Sequence, residues 1–113
     1  MHELSLMEQT LAIATEQLRV QGGDRIHRLV LRIGELSGVD PQALAFAFEV
    51  VRDGTPAAEA RLELETVPLH CHCPDCDLDF RPEGWSLGCP ECGGDRTEVR
   101  AGKELELKTL EVS

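Results

Sequence analysis

The chain has no tyrosine, one tryptophan and three phenylalanines among its 113 residues. Its core must therefore be aliphatic, and the aromatic platforms on which single-stranded nucleic acids stack are scarce. Positive charge is also short: 11 Lys and Arg stand against 21 Asp and Glu, a formal net charge of −10. That balance disfavours phosphate backbones and anionic membrane surfaces and favours cationic partners or metal ions. No run approaches the roughly 18–20 apolar residues that cross a bilayer, and the N-terminus lacks the basic-then-apolar pattern of a secretory signal. A cytoplasmic protein with no membrane and no nucleic-acid partner is expected. A Gly-rich phosphate loop and a nucleophile–base pair are missing too, so no enzymatic activity is expected.

The remaining residues sort into periodic segments. Leu4, Met7, Leu11, Ala14 and Leu18 recur at three- and four-residue steps up to Gly22-Gly23, which predicts an amphipathic helix from Leu4 to Val20, with Ser5 and Glu8 as a capping box. From Ile26 to Leu36 the pattern alternates, with Leu29, Leu31 and Ile33 opposite Arg28 and Arg32, so a strand is expected, ending in a turn at Ser37-Gly38. His27 shares the Leu29 and Leu31 face and reads as a core or edge histidine. Asp40-Pro41 has the form of an N-cap followed by the first helical residue, and Leu44, Ala47, Phe48 and Val51 supply the stripe of a second helix over 41–52. Alternation returns in Arg61–Val67 and in Glu104–Val112, where the change of phase predicts a bulge near Thr109. The expected fold is α+β: a small sheet of about three strands with two helices, plus an inserted zinc-ribbon-like module. The domain limits follow, with 1–69 and 98–113 forming the α/β body and 70–97 the module.

Residues 70–97 hold all five cysteines and few aliphatics. Cys73-Pro-Asp-Cys76 and Cys89-Pro-Glu-Cys92-Gly-Gly are two knuckles separated by 12 residues, and four such thiolates suit the closed tetrahedral coordination of a structural Zn²⁺. A tight hairpin through Asp79 to Leu87 would close the spacing. A thioredoxin-like dithiol and an iron–sulfur cluster are the other readings of paired cysteines. Cys71, in the run His70-Cys71-His72-Cys73, is either a bystander thiol or a ligand that exchanges with Cys73, and His70 and His72 flank it.

At the other end stands Met1-His2-Glu3. A bulky second residue generally leaves the initiator Met in place. Its amine, the His2 amide and imidazole, and a donor from Glu3 can then surround one ion in a plane, which suits Ni²⁺ or Cu²⁺ better than Zn²⁺. A histidine at position 2 is most often a solvated residue on a frayed terminus, and spacing alone favours that reading over a metal role.

Taken together, Met-His-Glu-Leu-Ser-Leu at the start, Ile33-Gly34-Glu35-Leu36-Ser37-Gly38-Val39, Leu44-Ala45-Phe46-Ala47-Phe48-Glu49, the Gly54-Thr55 turn and the two knuckles resemble the HypA family of nickel metallochaperones. The resemblance runs nearly end to end in matching order. It implies a nickel-binding α/β domain, with Ni²⁺ held through Met1, His2 and Glu3, and a zinc domain with Cys73, Cys76, Cys89 and Cys92 as ligands. It also implies work with a HypB-type GTPase and delivery to the large-subunit precursor of nickel–iron hydrogenase, with urease as a further client for some members. Cys71 is additional to the family's four-cysteine pattern. A zinc-ribbon adaptor, or a nucleic-acid-binding module without nickel, is the alternative.

Overall fold

The computed structural model describes residues 2–83 and 86–113. Helix α1 (His2–Val20) begins earlier than its periodicity suggests. Ser5 consequently lies inside the first turns rather than at an N-cap, and the expected Ser5–Glu8 capping box is not how this helix starts. Met7, Leu11, Ala14 and Leu18 form its buried stripe. The helix ends where Gly22 turns to a φ of 71° and the Gly23 N–H donates back to the Leu18 carbonyl at 3.0 Å, a left-handed cap that a residue without a Cβ adopts cheaply.

Strand β1 (Ile26–Gly34) is followed by helix α2 (Pro41–Val51), whose N-cap is Asp40 as expected, its side chain accepting from the Gln42 N–H at 3.0 Å. Leu44, Ala47 and Phe48 are the buried positions of α2. At its far end Arg52 stacks over the Phe48 ring at 4.7 Å and donates to the Ala58 and Ala60 carbonyls, fastening the helix to the turn that leads into β2 (Arg61–Val67). The chain continues through β3 (His70–Cys73), β4 (Leu78–Phe80), β5 (Glu98–Ala101) and β6 (Leu105–Val112). One sheet has the order β2-β1-β6 and the other β4-β3-β5. The cysteine-rich stretch is thus inserted between two strands of the first sheet.

Two compact units result. The first comprises Met1–Arg32, Val39–Glu65 and Glu106–Ser113, and the second Ile33–Gly38 and Thr66–Leu105. In the first, α1 packs on α2, and the buried side chains include Met7, Leu11, Leu18, Leu29, Leu31, Leu44 and Phe48. Strand β1 buries residues of both parities: Val30 is buried although it shares its side of the strand with Arg28 and Arg32, whose heads pair with carboxylates. Arg28 meets Glu63 of β2 at 2.8 Å and Glu111 of β6 at 2.6 Å, and Arg32 meets Glu106 at 3.1 Å. His27 is exposed near the start of the central strand β1 and paired through Nε2 with the Ser113 hydroxyl at 2.5 Å, so it is not a core histidine. In β6 the half-buried positions are Leu107 and Thr109, then Leu110 and Val112, which is the expected change of phase.

Arg28 thus clamps three strands at once. The Glu63 carboxyl is held below the usual carboxylate range first by its hydrogen bond from Arg28, against which desolvation acts. A depressed carboxylate contributes stability above its unfolded pKa that is lost as the pH falls through the folded one. Arg28→Leu is expected to lower the Tm by a few degrees at pH 7, with the deficit shrinking below about pH 4. Thermal melts across pH check this; a deficit unchanged at pH 3 would assign the effect to packing of the arginine stem.

The second unit has few apolar residues. Among the described residues its buried side chains are Ile33, Val67, Leu69, Cys71, Cys73 and Cys89. The segment Ile33–Gly38 is stitched to its stem by Gly34 N–H to Glu104 O at 2.7 Å, Glu35 N–H to Val67 O at 3.0 Å and Leu36 N–H to Gly102 O at 2.7 Å. The Glu35 carboxylate adds a bond from the Leu69 N–H and an ion pair with Arg81 at 2.9 Å.

Candidate metal centres

The hairpin of the second unit turns at the first knuckle. Strand β3 pairs antiparallel with β4, Cys73 opposite Leu78, so Pro74 to Asp77 form the connection. The expected Asp79–Leu87 hairpin instead starts within β4, and its far part includes residues outside those described. The two knuckles share one backbone device, a left-handed residue four positions after the first cysteine: Asp77 at φ 49° in one and Gly93 at φ 69° in the other. In the second knuckle this turn lets the Glu91 and Gly94 N–H groups point at the Cys89 and Cys92 sulfurs, both at 3.4 Å. Asp75 in the first knuckle accepts from Arg96 beyond the second at 2.8 Å, linking the two.

Cys73, Cys76, Cys89 and Cys92 come together with all four Sγ atoms within 4.8 Å of one another. The Cys73–Cys92 and Cys76–Cys89 separations are 3.7 and 4.0 Å. Bonds of about 2.3 Å to a tetrahedral Zn²⁺ place sulfurs about 3.8 Å apart, so the cluster fits zinc. The same distances are nearly twice the roughly 2.05 Å of a disulfide, and all five cysteines are free thiols. With four thiolates the coordination is closed, which suits a folding role rather than catalysis.

The local electrostatics prepare one sulfur for the ion. Cys89 is lowered to about 7, first by the Cys92 N–H and, against desolvation, also by the Glu91 N–H. Cys76 is pushed up to about 12, chiefly by its hydrogen bond with Cys92 and then by burial. At Cys92 the Gly94 N–H pulls downward, but the neighbouring Cys89 and Cys73 sulfurs outweigh it and leave the thiol raised. Because Cys76 and Cys92 hold protons at neutral pH, zinc uptake is expected to release at least two, so affinity rises with pH. Calorimetry in buffers of different ionisation enthalpy measures that number directly; release of fewer than two protons would contradict it.

Cys71 is not in the cluster. It sits in β3 opposite Val99 and Phe80, fully buried, and burial pushes its thiol up against a smaller opposing effect of Lys103. His72 lies between Cys71 and Cys73 but sends Nδ1 to Asp79 at 2.6 Å and Nε2 toward Asp77 at 3.5 Å. His70 is exposed. Among the described residues the four-thiol cluster is the one group of three or more His, Cys, Asp or Glu side chains close enough to share an ion.

At the head of α1 the His2 Nδ1 lies 3.7 Å from a Glu3 carboxylate oxygen. The first N–H groups of a helix have no partner within it, so a metal can take the place of the His2 amide proton without breaking a helical bond. Glu3 is held below the usual carboxylate range by its own N–H, then by the Asp40 N–H, with desolvation opposing and His2 adding a smaller contribution. The Asp40 N–H reaches the Glu3 carboxylate at 3.4 Å. The sequence reading treated Asp40 only as a helix cap; no local pattern announces that the cap of α2 meets the start of α1. Met1, the remaining expected nickel ligand, lies outside the described residues.

An α+β body with a four-thiolate module defines a metal-binding protein stabilised by zinc. Its particular kind follows from kinship. Residues 1–112 match the family described as "Hydrogenase/urease nickel incorporation, metallochaperone, hypA". Over 112 residues, the chain is 46% identical to the hydrogenase maturation factor HypA of Picosynechococcus sp. and 45% identical to that of Acidithiobacillus ferrooxidans, covering 99% of each and of itself. Among solved structures, the solution structure of the Ni metallochaperone HypA from Helicobacter pylori aligns with TM-score 0.68 at 27% identity, covering 97% of this chain and 96% of that one. A second, titled as the solution structure of HypA protein, gives TM-score 0.75 at 28% identity over 100% and 97%. The chain belongs to the HypA family of nickel-incorporation metallochaperones.

Proposed function

We propose that this chain carries Ni²⁺ on the Met1 amine, the His2 amide and imidazole, and a donor from Glu3, and passes it to a maturing enzyme. The observation that carries the reading is the His2–Glu3 pair at the head of α1, 3.7 Å apart, with Glu3 anchored to the Asp40 N–H. One ligand is tethered to the fold while its neighbours sit at a chain end, where they can exchange partners. Nickel belongs to the domain of 1–69 and 98–113, and Zn²⁺ on Cys73, Cys76, Cys89 and Cys92 belongs to the 70–97 module. The proposed partners are a HypB-type GTPase and the large-subunit precursor of nickel–iron hydrogenase, with urease maturation as a second destination. The compartment is the cytoplasm, and the chain itself catalyses no reaction. No helix among the described residues is long and apolar enough to cross a membrane. The family match disfavours a zinc-ribbon adaptor or nucleic-acid module without nickel.

The test is nickel calorimetry and absorption spectroscopy on zinc-loaded protein with its native terminus, alongside His2→Ala and a variant extended by two residues before Met1. The native chain is expected to bind about one Ni²⁺ and both variants to lose at least tenfold in affinity. Equal binding by all three would move the site away from the terminus.

A further inference from the structure

Four large apolar residues of the first unit are exposed, Ile13 and Val20 on α1 and Phe46 and Val50 on α2, and the α2 pair forms part of a second apolar stripe. Phe46 is 66% and Val50 55% exposed. With Ala43 they fall at i, i+3 and i+7, on a different side of the helix from the buried Leu44 and Phe48. This stripe is one wall of a groove of about 490 Å³ to which α1 contributes Glu3 and Leu4. The floor is apolar, through Leu4, Ala43, Phe46, Ala47 and Val50, and the polar lining comprises Gln42 and two carboxylates, Glu3 and Asp40. No Lys or Arg lines it. Both acids accept N–H groups, Glu3 from Asp40 and Asp40 from Gln42, which orients them without cancelling their charge.

We propose that this groove docks an amphipathic helix of a partner protein, with apolar side chains at i, i+3 and i+7 laid along Ala43, Phe46 and Val50 and a Lys or Arg at the end that meets Glu3 and Asp40. The proposal rests on the reading of this chain as a carrier that must meet the protein receiving its ion, and it adds where they meet and by what chemistry. Three features select this occupant. The groove lies between two helices and is lined by helical spacing, the arrangement that receives an apolar helix face. An acidic end that no Lys or Arg lines calls for a cation, and electrostatic complementarity sets orientation and speeds encounter. A second copy of this chain is the wrong partner on charge, since each copy carries a formal −10. An exposed aromatic beside small residues is also the kind of anchor that dominates interfaces, in a chain with only three phenylalanines.

The experiment uses the full, zinc-loaded, nickel-free chain with its native terminus. The probe is a fluorescein-labelled 15-residue helical peptide of Leu, Ala and Gln, with leucines at i, i+3 and i+7 and two lysines in its first or last turn. Anisotropy titrations compare it with the same peptide carrying glutamates for lysines. One lysine peptide is expected to bind at least tenfold more tightly than its glutamate counterpart. Phe46→Ser and Val50→Ser, both at exposed positions, are each expected to weaken it about tenfold with zinc content and circular dichroism unchanged. Equal binding of lysine and glutamate peptides, no binding of either, or wild-type affinity in Phe46→Ser would overturn the proposal. So would a concentration-dependent dimer that Phe46→Ser abolishes, because a second copy would then be the occupant. Nickel calorimetry on the same samples separates the two readings. Peptide binding lost in Phe46→Ser with nickel binding intact supports the groove; lysine-selective binding in a chain that takes up no nickel supports it too and removes only the carrier reading.

Discussion

Extracting zinc, or replacing Cys89 with Ser, is expected to unfold the second unit while α1 and α2 keep their structure. The reason is the inventory of buried groups. Beside Cys71, Cys73 and Cys89, the described residues of that unit bury only Ile33, Val67 and Leu69, little apolar surface to set against the chain entropy of some 46 residues. Zinc on four thiolates supplies about 10–16 kcal/mol of binding free energy that appears as folding free energy, comparable with or larger than the whole stability of a typical domain, about 5–15 kcal/mol. The first unit buries Met7, Leu11, Leu18, Leu44 and Phe48 without any thiolate. In amide NMR spectra, the resonances of Cys71–Phe80 and Glu98–Ala101 should collapse into the unfolded range on chelation while those of Met7 and Leu11 stay dispersed. Cys73→Ser should behave like Cys89→Ser, whereas Cys71→Ala should retain one zinc per chain. Retention of zinc by Cys73→Ser with loss in Cys71→Ala would exchange the roles of those two residues.

Gly34→Ala is the second large effect. A Cβ at Gly34 would stand 2.1 Å from the Gly102 carbonyl oxygen and 2.6 Å from the Lys103 nitrogen, and both are backbone. No rotamer change relieves that contact. Separating the segments would break the Gly34 N–H to Glu104 O and Leu36 N–H to Gly102 O bonds that fasten Ile33–Gly38 to the stem. The expected loss is at least about 3 kcal/mol, in the range of overpacking combined with broken buried hydrogen bonds. Gly38→Ala is the control. It has a φ of 78° but open space around it, so only the left-handed strain of roughly 1–2 kcal/mol applies. Urea denaturation of both variants measures the contrast; equal losses would show that the backbone at Gly34 moves aside freely.

Both effects depend on what neighbouring segments bring to each other, and they mark how far local pattern reaches. The two helices, strand β2 and the two knuckles were legible because each is dictated within its own stretch of chain. A 3.6-residue stripe must face a core, alternation must put leucines on one side, Asp40-Pro41 starts a helix, and two Cys-x-x-Cys turns present thiolates. Local rules erred where a tertiary neighbour substitutes for a local signal. Helix α1 starts at His2 rather than at a Ser5 cap. Its first turn meets Asp40 instead, and a sequence carries no mark of a contact 37 positions away. The three short strands of the second unit were equally unreadable, since four-residue segments such as His70–Cys73 have too few alternations to stand out and become strands only by pairing.

The cysteines show the same division within one run of residues. Cys71 and Cys73 are chemically identical, two positions apart, and both buried on one face of β3. That residues 73, 76, 89 and 92 could hold zinc follows from spacing alone, because a knuckle needs two residues between its thiols to bring both sulfurs to one ion. That Cys73 rather than Cys71 joins the cluster is decided only in three dimensions. The β3–β4 hairpin places Cys71 beside Val99 and Phe80, and the turn that follows delivers Cys73 to within 3.7 Å of Cys92. Composition by itself determined an acidic chain with an aliphatic core, spacing added a four-cysteine metal module, and the ordered motifs carried the resemblance to the HypA family. The ligand geometry, the tethering of Glu3 and the apolar groove beside it came from packing, since each depends on distances between segments that no local period encodes.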